Sequence, residues 1–368
     1  MWERFGHNAL WIHDPQAGTD LAYNWGMFSF DQEGFLGRLL RGTMMYWMAP
    51  FRVQAMIDSY VAADRSIFVQ ELALTTDQKL ELQAALALNA LPENMYYRYD
   101  YYQDNCSTRV RDALDQVLDG RVRTALEGVP TGTSYRFHTR RLLQPMPTMY
   151  TGIQVVLASK ADREIDRWRE AFLPIKLMEG IREVRVPDGL GGEMSLVMSE
   201  REVYRTMGPP EATSVPSHLR WYLVPGLALA LLLFLLAHPS GWARVPVVAL
   251  VAGWSVVAGL AGVVLLGSWL FTDHVFWYPN ANLLQLNPLS LAVGVLALPV
   301  LIRPVPGRRL YRLAAVVAGL SALGLVLNFV NALDQQNGEI LGLTVPANLG
   351  VLLALVRLRR SARSSEPA

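Results

Sequence analysis

The sequence predicts two parts of different class, an α+β domain over residues 1–218 and an all-α transmembrane domain of about five helices over residues 219–358. The composition changes between them. Up to about Arg220 the chain mixes charged, polar and apolar residues, whereas Trp221 to Val356 is mostly Leu, Val, Ala and Gly and contains no lysine. The first part is long enough to bury a full core of its own. A single cysteine in the whole chain excludes an internal disulfide framework.

Apolar runs follow one another through the second part. A membrane-spanning helix needs about 17–25 residues, so the third run is short unless it begins near Leu283. Any one run is compatible with a buried helix of a soluble protein, but a series without internal Asp, Glu or Lys favours a membrane domain. The runs are Trp221–Ala237, Val245–Phe271, Pro288–Ile302, Leu310–Val330 and Ile340–Val356.

The charges of the connecting loops predict the orientation. Loops 272–287 and 331–339 contain no Lys or Arg, whereas the alternate loops and the tail are basic. By the positive-inside rule the basic tail, residues 359–368, is cytoplasmic, and with five spans the first domain is extracytoplasmic. The basic residues are Arg244, Arg303, Arg308, Arg309, Arg312, Arg357, Arg359, Arg360 and Arg363.

This orientation corresponds to a multi-pass membrane protein with an extracytoplasmic N-terminal domain and the lipid bilayer as its partner; the family resemblance given below implies the bacterial inner membrane and a periplasmic domain. The net charge of +1 gives no reason to expect a nucleic-acid partner. An exported domain needs a leader, and no charged and apolar leader follows Met1. We therefore expect an apolar leader to be encoded upstream of residue 1.

The only cysteine, Cys106, lies where a helix is predicted to begin. Asn105 is a favourable N-cap residue, and apolar residues follow Cys106 at helical spacing through Leu118. A thiol at the positive end of a helix dipole loses its proton more readily, and the thiolate is the reactive form. The alternative is a small buried structural cysteine. Catalysis requires a base within hydrogen-bond reach.

His7 is the predicted base. The pattern predicts a hairpin whose two strands are Phe5–His13 and Leu21–Phe30, with a turn between them and His7 inside the first strand. Asn24, on the second strand, is the candidate for orienting His7. His238 is predicted to be cytoplasmic and cannot serve.

Two further residues are candidates for substrate contacts. Asn105, together with backbone N–H groups at the helix start, is predicted to hold an oxyanion. Arg109 is a candidate for binding phosphate or carboxylate, the alternative being a solvated helix face. Nothing in the pattern predicts a metal site or a cofactor.

A cysteine at a helix start, packed on a sheet that bears a histidine, is the papain-like arrangement, here in the chain order of a circular permutation. Three segments in order, FGHNAL from Phe5, YNWGMFSF from Tyr23 and YDYYQDNCSTRVRD from Tyr99, resemble the DUF4105 family, also called the Lnb N-terminal periplasmic domain family. The Asn-Cys pair also resembles permuted papain-like proteins of the NlpC/P60-related and lecithin–retinol acyltransferase groups.

The first resemblance covers about residues 1 to 150. It implies an α+β permuted papain-like (NlpC/P60-like) fold fused to a multi-span membrane domain. Lnb itself is a bacterial lipoprotein acyltransferase, so the resemblance implies a thiol acyltransferase or acyl hydrolase that acts on lipid or lipoprotein esters through a thioester. Two alternatives stay open, a cysteine peptidase or amidase acting on cell-wall peptide, and a non-catalytic membrane-anchored sensor or scaffold. The sequence does not predict the oligomeric state.

Overall fold

The fold is taken from a computed structural model that describes residues 2–215, 217–237, 241–302 and 305–363. His238, Arg303 and the last residues of the predicted basic tail, 364–368, lie outside the described residues. The strands are β1 (Leu10–Asp14), β2 (Thr19–Met27), β3 (Met45–Arg52), β4 (Ile67–Leu72), β5 (Tyr96–Arg98), β6 (Pro130–Ser134), β7 (Glu164–Asp166), β8 (Arg185–Pro187), β9 (Glu193–Ser195) and β10 (Val197–Tyr204).

The α-helices are α1 (Phe35–Arg41), α2 (Val53–Ala62), α3 (Thr76–Asn89), α4 (Cys106–Val117), α5 (Arg121–Leu126), α6 (Tyr135–Leu143), α7 (Pro147–Val156), α8 (Arg167–Glu170), α9 (Pro174–Ile181), α10 (Leu219–Leu236), α11 (Gly241–Phe271), α12 (Leu289–Ala297), α13 (Arg308–Phe329) and α14 (Gly338–Arg363). They belong to two compact units. The first comprises residues 1–145 and 164–214, and the second comprises residues 146–163 and 215–368.

The first unit is a mixed α/β domain built on an antiparallel four-stranded sheet in the order β1-β2-β3-β5. Helix α4 supplies the apolar face predicted from its spacing, with Val110, Leu114 and Val117 in the same buried cluster as Tyr23 and Trp25 of β2. Each buried leucine of this kind contributes about 2 kcal/mol of hydrophobic stabilisation. The packing therefore fixes the start of α4 against the sheet.

The predicted hairpin is present, with β1 and β2 paired antiparallel around residues 15–18. The strands are shorter than expected, and His7 lies in the irregular segment three residues before β1 rather than inside a strand. Gly6 explains why. Its φ of +79° is a left-handed conformation that interrupts an extended strand, and a Cβ at that position would lie 3.3 Å from Cγ of Pro174.

The described residues of the second unit include five helical segments that are long and apolar enough to span a membrane. The third begins before the short run read from the sequence, because a 3₁₀ turn at Ala281–Leu284 precedes α12. Small residues allow close packing between these helices. A Cβ on Gly226 of α10 would lie 2.5 Å from the carbonyl oxygen of Leu343 in α14, and one on Gly350 would lie 2.6 Å from Cα of Ala230.

Candidate active site

Cys106 is the first residue of α4 and is partly exposed. Asn105 caps the helix, because its side-chain oxygen accepts from the N–H groups of Ser107 and Thr108 at 2.8 and 3.0 Å. Within the described part of the chain the N–H of Cys106 has no acceptor in the protein. That N–H is therefore available to a ligand at the positive end of the helix.

The structure brings His7 and Asn24 together with Cys106. Oδ1 of Asn24 lies 2.9 Å from Nε2 of His7. The amide is oriented unambiguously, since its Nδ2 donates to the carbonyl of Ala22 at 2.8 Å. Nε2 of His7 must therefore carry a proton and donate, which leaves Nδ1 for the thiol. Asn24 is 3% exposed, so this orienting contact is shielded from water.

Cys106 and His7 are hydrogen-bonded, and each shifts the pKa of the other. Burial alone would raise the pKa of the Cys106 thiol, but the charge and hydrogen bond of His7, with the backbone N–H groups of Asn8 and Ser107, lower it below its usual value. Burial would lower the pKa of His7, and the thiolate together with hydrogen bonds to Cys106 and Asn24 raises it instead. Both shifts act in the direction of a thiolate–imidazolium pair, the reactive form of such a site.

Gly26 of β2 faces the thiol. Its φ is +94°, and a Cβ built there would lie 3.6 Å from Cβ of Cys106. The register of β2 against β3 shifts between Asn24 and Met27, so the strand is irregular where it passes the site. In this irregular stretch of β2, Asn24 contacts His7 and Gly26 lies close to Cys106.

Asn8, which sequence reasoning missed, belongs to the site. Its backbone N–H bonds the sulfur of Cys106, and its Nδ2 donates to Oγ of Ser107 at 3.3 Å. Ser107 in turn donates to the carbonyl of Ala171 at 2.7 Å, so the amide of Asn8 must be the donor. Its Oδ1 is then a buried acceptor with no partner among the described residues. The only signal in the sequence was its position directly after His7.

The other two predicted site residues have structural partners. Nδ2 of Asn105 donates to the carbonyls of Tyr101 and Phe172 at 3.0 and 2.9 Å, so no amide N–H of Asn105 is left to hold an oxyanion. Arg109 forms a bidentate ion pair with Asp104, at 2.5 and 2.6 Å, and its guanidinium lies 4.4 Å from the ring centre of Tyr97. Its charge is neutralised within the protein, and we leave both side chains out of the proposed substrate contacts.

Among the described residues, no group of three or more His, Cys, Asp or Glu side chains is arranged to hold a metal ion. The chemistry that the site itself offers is nucleophilic. A lowered-pKa thiol, an oriented imidazole and a backbone N–H without an acceptor at the helix start are the parts needed for covalent acyl transfer.

The fold and the site thus define a membrane protein with a mixed α/β domain that carries a Cys–His–Asn constellation, followed by five apolar helices. Two family models match the chain, the Lnb N-terminal periplasmic domain over residues 1–144 and the Lnb transmembrane domain over residues 226–338. The chain belongs to this family, as the three sequence segments indicated. Comparison with curated proteins and with solved structures finds no match.

Proposed function

We propose that the chain is a membrane-bound cysteine acyltransferase or acyl hydrolase that acts on lipid or lipoprotein esters through a thioester on Cys106. The observation that carries this proposal is the contact of His7 with both Cys106 and Asn24, in which the thiol pKa is lowered and the imidazole pKa is raised. A structural cysteine does not need an oriented base. The family's namesake, a lipoprotein acyltransferase, supports the same class of reaction.

In the first step the thiolate of Cys106 attacks the carbonyl carbon of the ester, and a carbon–sulfur bond forms. The carbonyl oxygen becomes an oxyanion, for which the N–H of Cys106 at the start of α4 is the available donor. When the carbon–oxygen bond breaks, the imidazolium of His7 gives its proton to the departing alkoxide. A lyso lipid leaves, and the acyl group stays on sulfur as a thioester.

In the second step an amine or water attacks the thioester. Neutral His7 accepts the proton of the nucleophile, the carbon–sulfur bond breaks, and the thiolate is regenerated. Oδ1 of Asn8 is suited to accept a hydrogen bond from the incoming amine, because it is a buried acceptor without a partner in the described chain.

We further propose that the first unit is a permuted papain-like domain. The chain order His7, Asn24, Cys106 is a circular permutation of the Cys, His, Asn order of papain-like enzymes. The helix-start cysteine packed on an antiparallel sheet supports this assignment. With the loop charges read from the sequence, we place the domain of residues 1–218 in the periplasm, residues 219–358 in the inner membrane and the tail 359–368 in the cytoplasm.

The test is the mass of the Cys106 peptide after the full chain, in proteoliposomes, is incubated with a synthetic diacylglyceryl-cysteine lipopeptide. We expect the peptide to gain one fatty acyl group that neutral hydroxylamine removes. His7→Gln should lower the initial rate of adduct formation by about 100-fold, the usual size of a general-base contribution. His13→Gln is the matched control, since His13 is an exposed histidine of β1 that pairs with Asp20 of β2, and it should leave the rate unchanged.

Two outcomes would contradict the proposal. The same hydroxylamine-sensitive gain in Cys106→Ala would place the acyl group elsewhere, and the absence of any adduct on Cys106 would reject the thioester. An adduct formed with a cell-wall peptide but not with the lipopeptide would instead support the cysteine peptidase or amidase.

A further inference from the structure

Helix α1 is an amphipathic helix that the first unit does not cover. None of its residues, Phe35–Arg41, is buried, and it lies between Gly34 and Gly42, whose φ angles of 67° and 73° are left-handed. A helix of seven residues is not stable in water on its own propensity, so it normally depends on packing. The exposed face of α1 therefore calls for a partner outside the first unit's core.

The apolar residues of α1 lie on one side of the helix. Leu36, Leu39 and Leu40 are 64%, 44% and 62% exposed and are spaced i, i+3, i+4, which places them in one stripe. Arg38 and Arg41 are the basic residues of the same helix. An apolar stripe beside arginines is the composition of a helix that lies in the interface of a bilayer containing anionic lipids.

A row of aromatic rings connects this helix with the candidate active site. The ring of Phe30, which is 62% exposed, lies 5.2 Å from that of Phe35 in α1 and 5.0 Å from that of Phe28. Phe28 stacks on Tyr46 at 5.3 Å, and Tyr46 stacks on Tyr99 at 4.0 Å.

Tyr99 completes the connection to the thiol. Tyr99 and Cys106 belong to the set of partly buried residues that pack against the buried cluster between α4 and the sheet. Phe28, Tyr46, Tyr99 and Cys106 are each only partly buried, so each of them keeps some surface exposed.

We propose that Leu36, Leu39, Leu40 and Phe30 form a docking face that enters the interfacial layer of an anionic bilayer, and that the aromatic row leads an acyl chain from it to Cys106. The part of this proposal that concerns the acyl chain rests on the proposed acyl transfer. A bilayer is chosen over a protein partner because arginines accompany the apolar stripe and the same chain carries five membrane-spanning segments. Every copy of the chain is thereby attached to a bilayer.

The test places an environment-sensitive NBD label at position 39 of the full chain, as Leu39→Cys in a Cys106→Ala background, in vesicles of phosphatidylglycerol and phosphatidylcholine. We expect blue-shifted emission that shallow doxyl-labelled lipids quench. The matched control is Leu190→Cys, since Leu190 is 93% exposed in the turn between β8 and β9 of the same unit. Quenching at position 39 no greater than at position 190 would overturn the docking face.

A second copy of the chain as the occupant would give a blue shift without doxyl quenching, and would also overturn the proposal. Because Cys106 is absent from the labelled protein, the location of α1 is measured independently of the chemistry. Quenching at position 39 without any thioester in the wild-type chain would retain the docking face and reject the acyl transfer.

A variant tests the connection to the site. Leu36→Ser with Leu40→Ser should lower the initial rate of adduct formation on Cys106 from vesicle-borne lipopeptide by about tenfold, as fewer acyl chains are presented to the row. Leu190→Ser with Met207→Ser removes two apolar side chains that are more exposed still, at 93% and 90%, and should leave the rate unchanged. Equal rates in the two double variants would reject the contribution of α1. A thermal unfolding midpoint like that of the wild type would confirm that both variants are folded.

Discussion

At the scale of single residues, the site depends on the protonation states of Cys106 and His7 and on Asn24, which orients His7. His7 lowers the pKa of Cys106, Cys106 raises the pKa of His7, and Asn24 fixes the tautomer that makes both effects possible. A lower thiol pKa and a higher imidazole pKa both increase the share of the thiolate–imidazolium pair relative to the neutral pair.

A pH profile follows from these directions. The alkylation of Cys106 by iodoacetamide should stay fast to a lower pH than that of an ordinary thiol, and should fall as the pH passes below the lowered pKa. In His7→Gln the charge and hydrogen bond that lower this pKa are lost while burial still raises it. Alkylation at pH 7 should then be slower by about tenfold or more, since one pKa unit changes the thiolate fraction tenfold. Measured rates that superimpose for the two proteins would contradict the ion pair.

At the scale of elements, Asn105 holds the start of α4 in place. Its side chain makes hydrogen bonds with two N–H groups of the helix and with the carbonyls of Tyr101 and Phe172, which belong to other segments. The residue thus joins three parts of the first unit at the position that carries the thiol. The same connections explain why it is not available to the substrate.

Asn105→Ala should therefore destabilise the first unit more than the loss of an ordinary cap does. An exposed N-cap contributes about 1 kcal/mol, and buried groups left without partners cost about 1–3 kcal/mol each. The control is Thr75→Ala, because Thr75 caps α3 at an exposed position with the reciprocal Gln78 bond. Hydrogen exchange of the Ser107 and Thr108 amides is the measurement. In Asn105→Ala the first turn of α4 should lose more protection than the first turn of α3 loses in Thr75→Ala. Equal losses of protection would contradict a special role for Asn105.

At the scale of the whole molecule, each unit is stabilised by a different kind of contact. The first has an apolar cluster between α4 and the sheet. The second, besides apolar packing, contains buried polar groups, among them Glu339, whose carboxylate accepts from Tyr150, Gln154 and the N–H of His218 at 3.0 to 3.2 Å. This explains why α7 belongs to the second unit although it precedes β7 in the chain.

Close packing of α10 and α14 gives a prediction for the second unit. A Cβ on Gly226 would lie 2.5 and 2.8 Å from the carbonyl oxygens of Leu343 and Gly342, so Gly226→Ala must force the helices apart. We expect its thermal unfolding midpoint to fall by several degrees, about the effect of 1–2 kcal/mol. Gly253→Ala in α11 is the control, because no atom lies within 4 Å of its Cβ position. Equal midpoints for the two variants would show that the contact is not needed.

The membrane segments and the position of the thiol follow from the sequence alone. Each depends on local chemistry, namely the length of apolar runs and the presence of an N-cap before an apolar helical face, and both are independent of distant residues. The hairpin and the choice of His7 and Asn24 also came from local turn chemistry and from the need of a thiol for a base.

Only the tertiary structure decided which partners the polar atoms of the site have. The hydrogen bonds of Asn105, the ion pair of Arg109 with Asp104, the vacant acceptor of Asn8 and the approach of Gly26 to Cys106 all depend on which backbone atoms the fold brings within about 3–4 Å. A hydrogen bond is lost over less than an ångström, whereas hydrophobic burial tolerates such displacements. The sequence pattern therefore determined where the apolar helices and the nucleophile lie, and the folded chain determined which side chains remain available to a substrate.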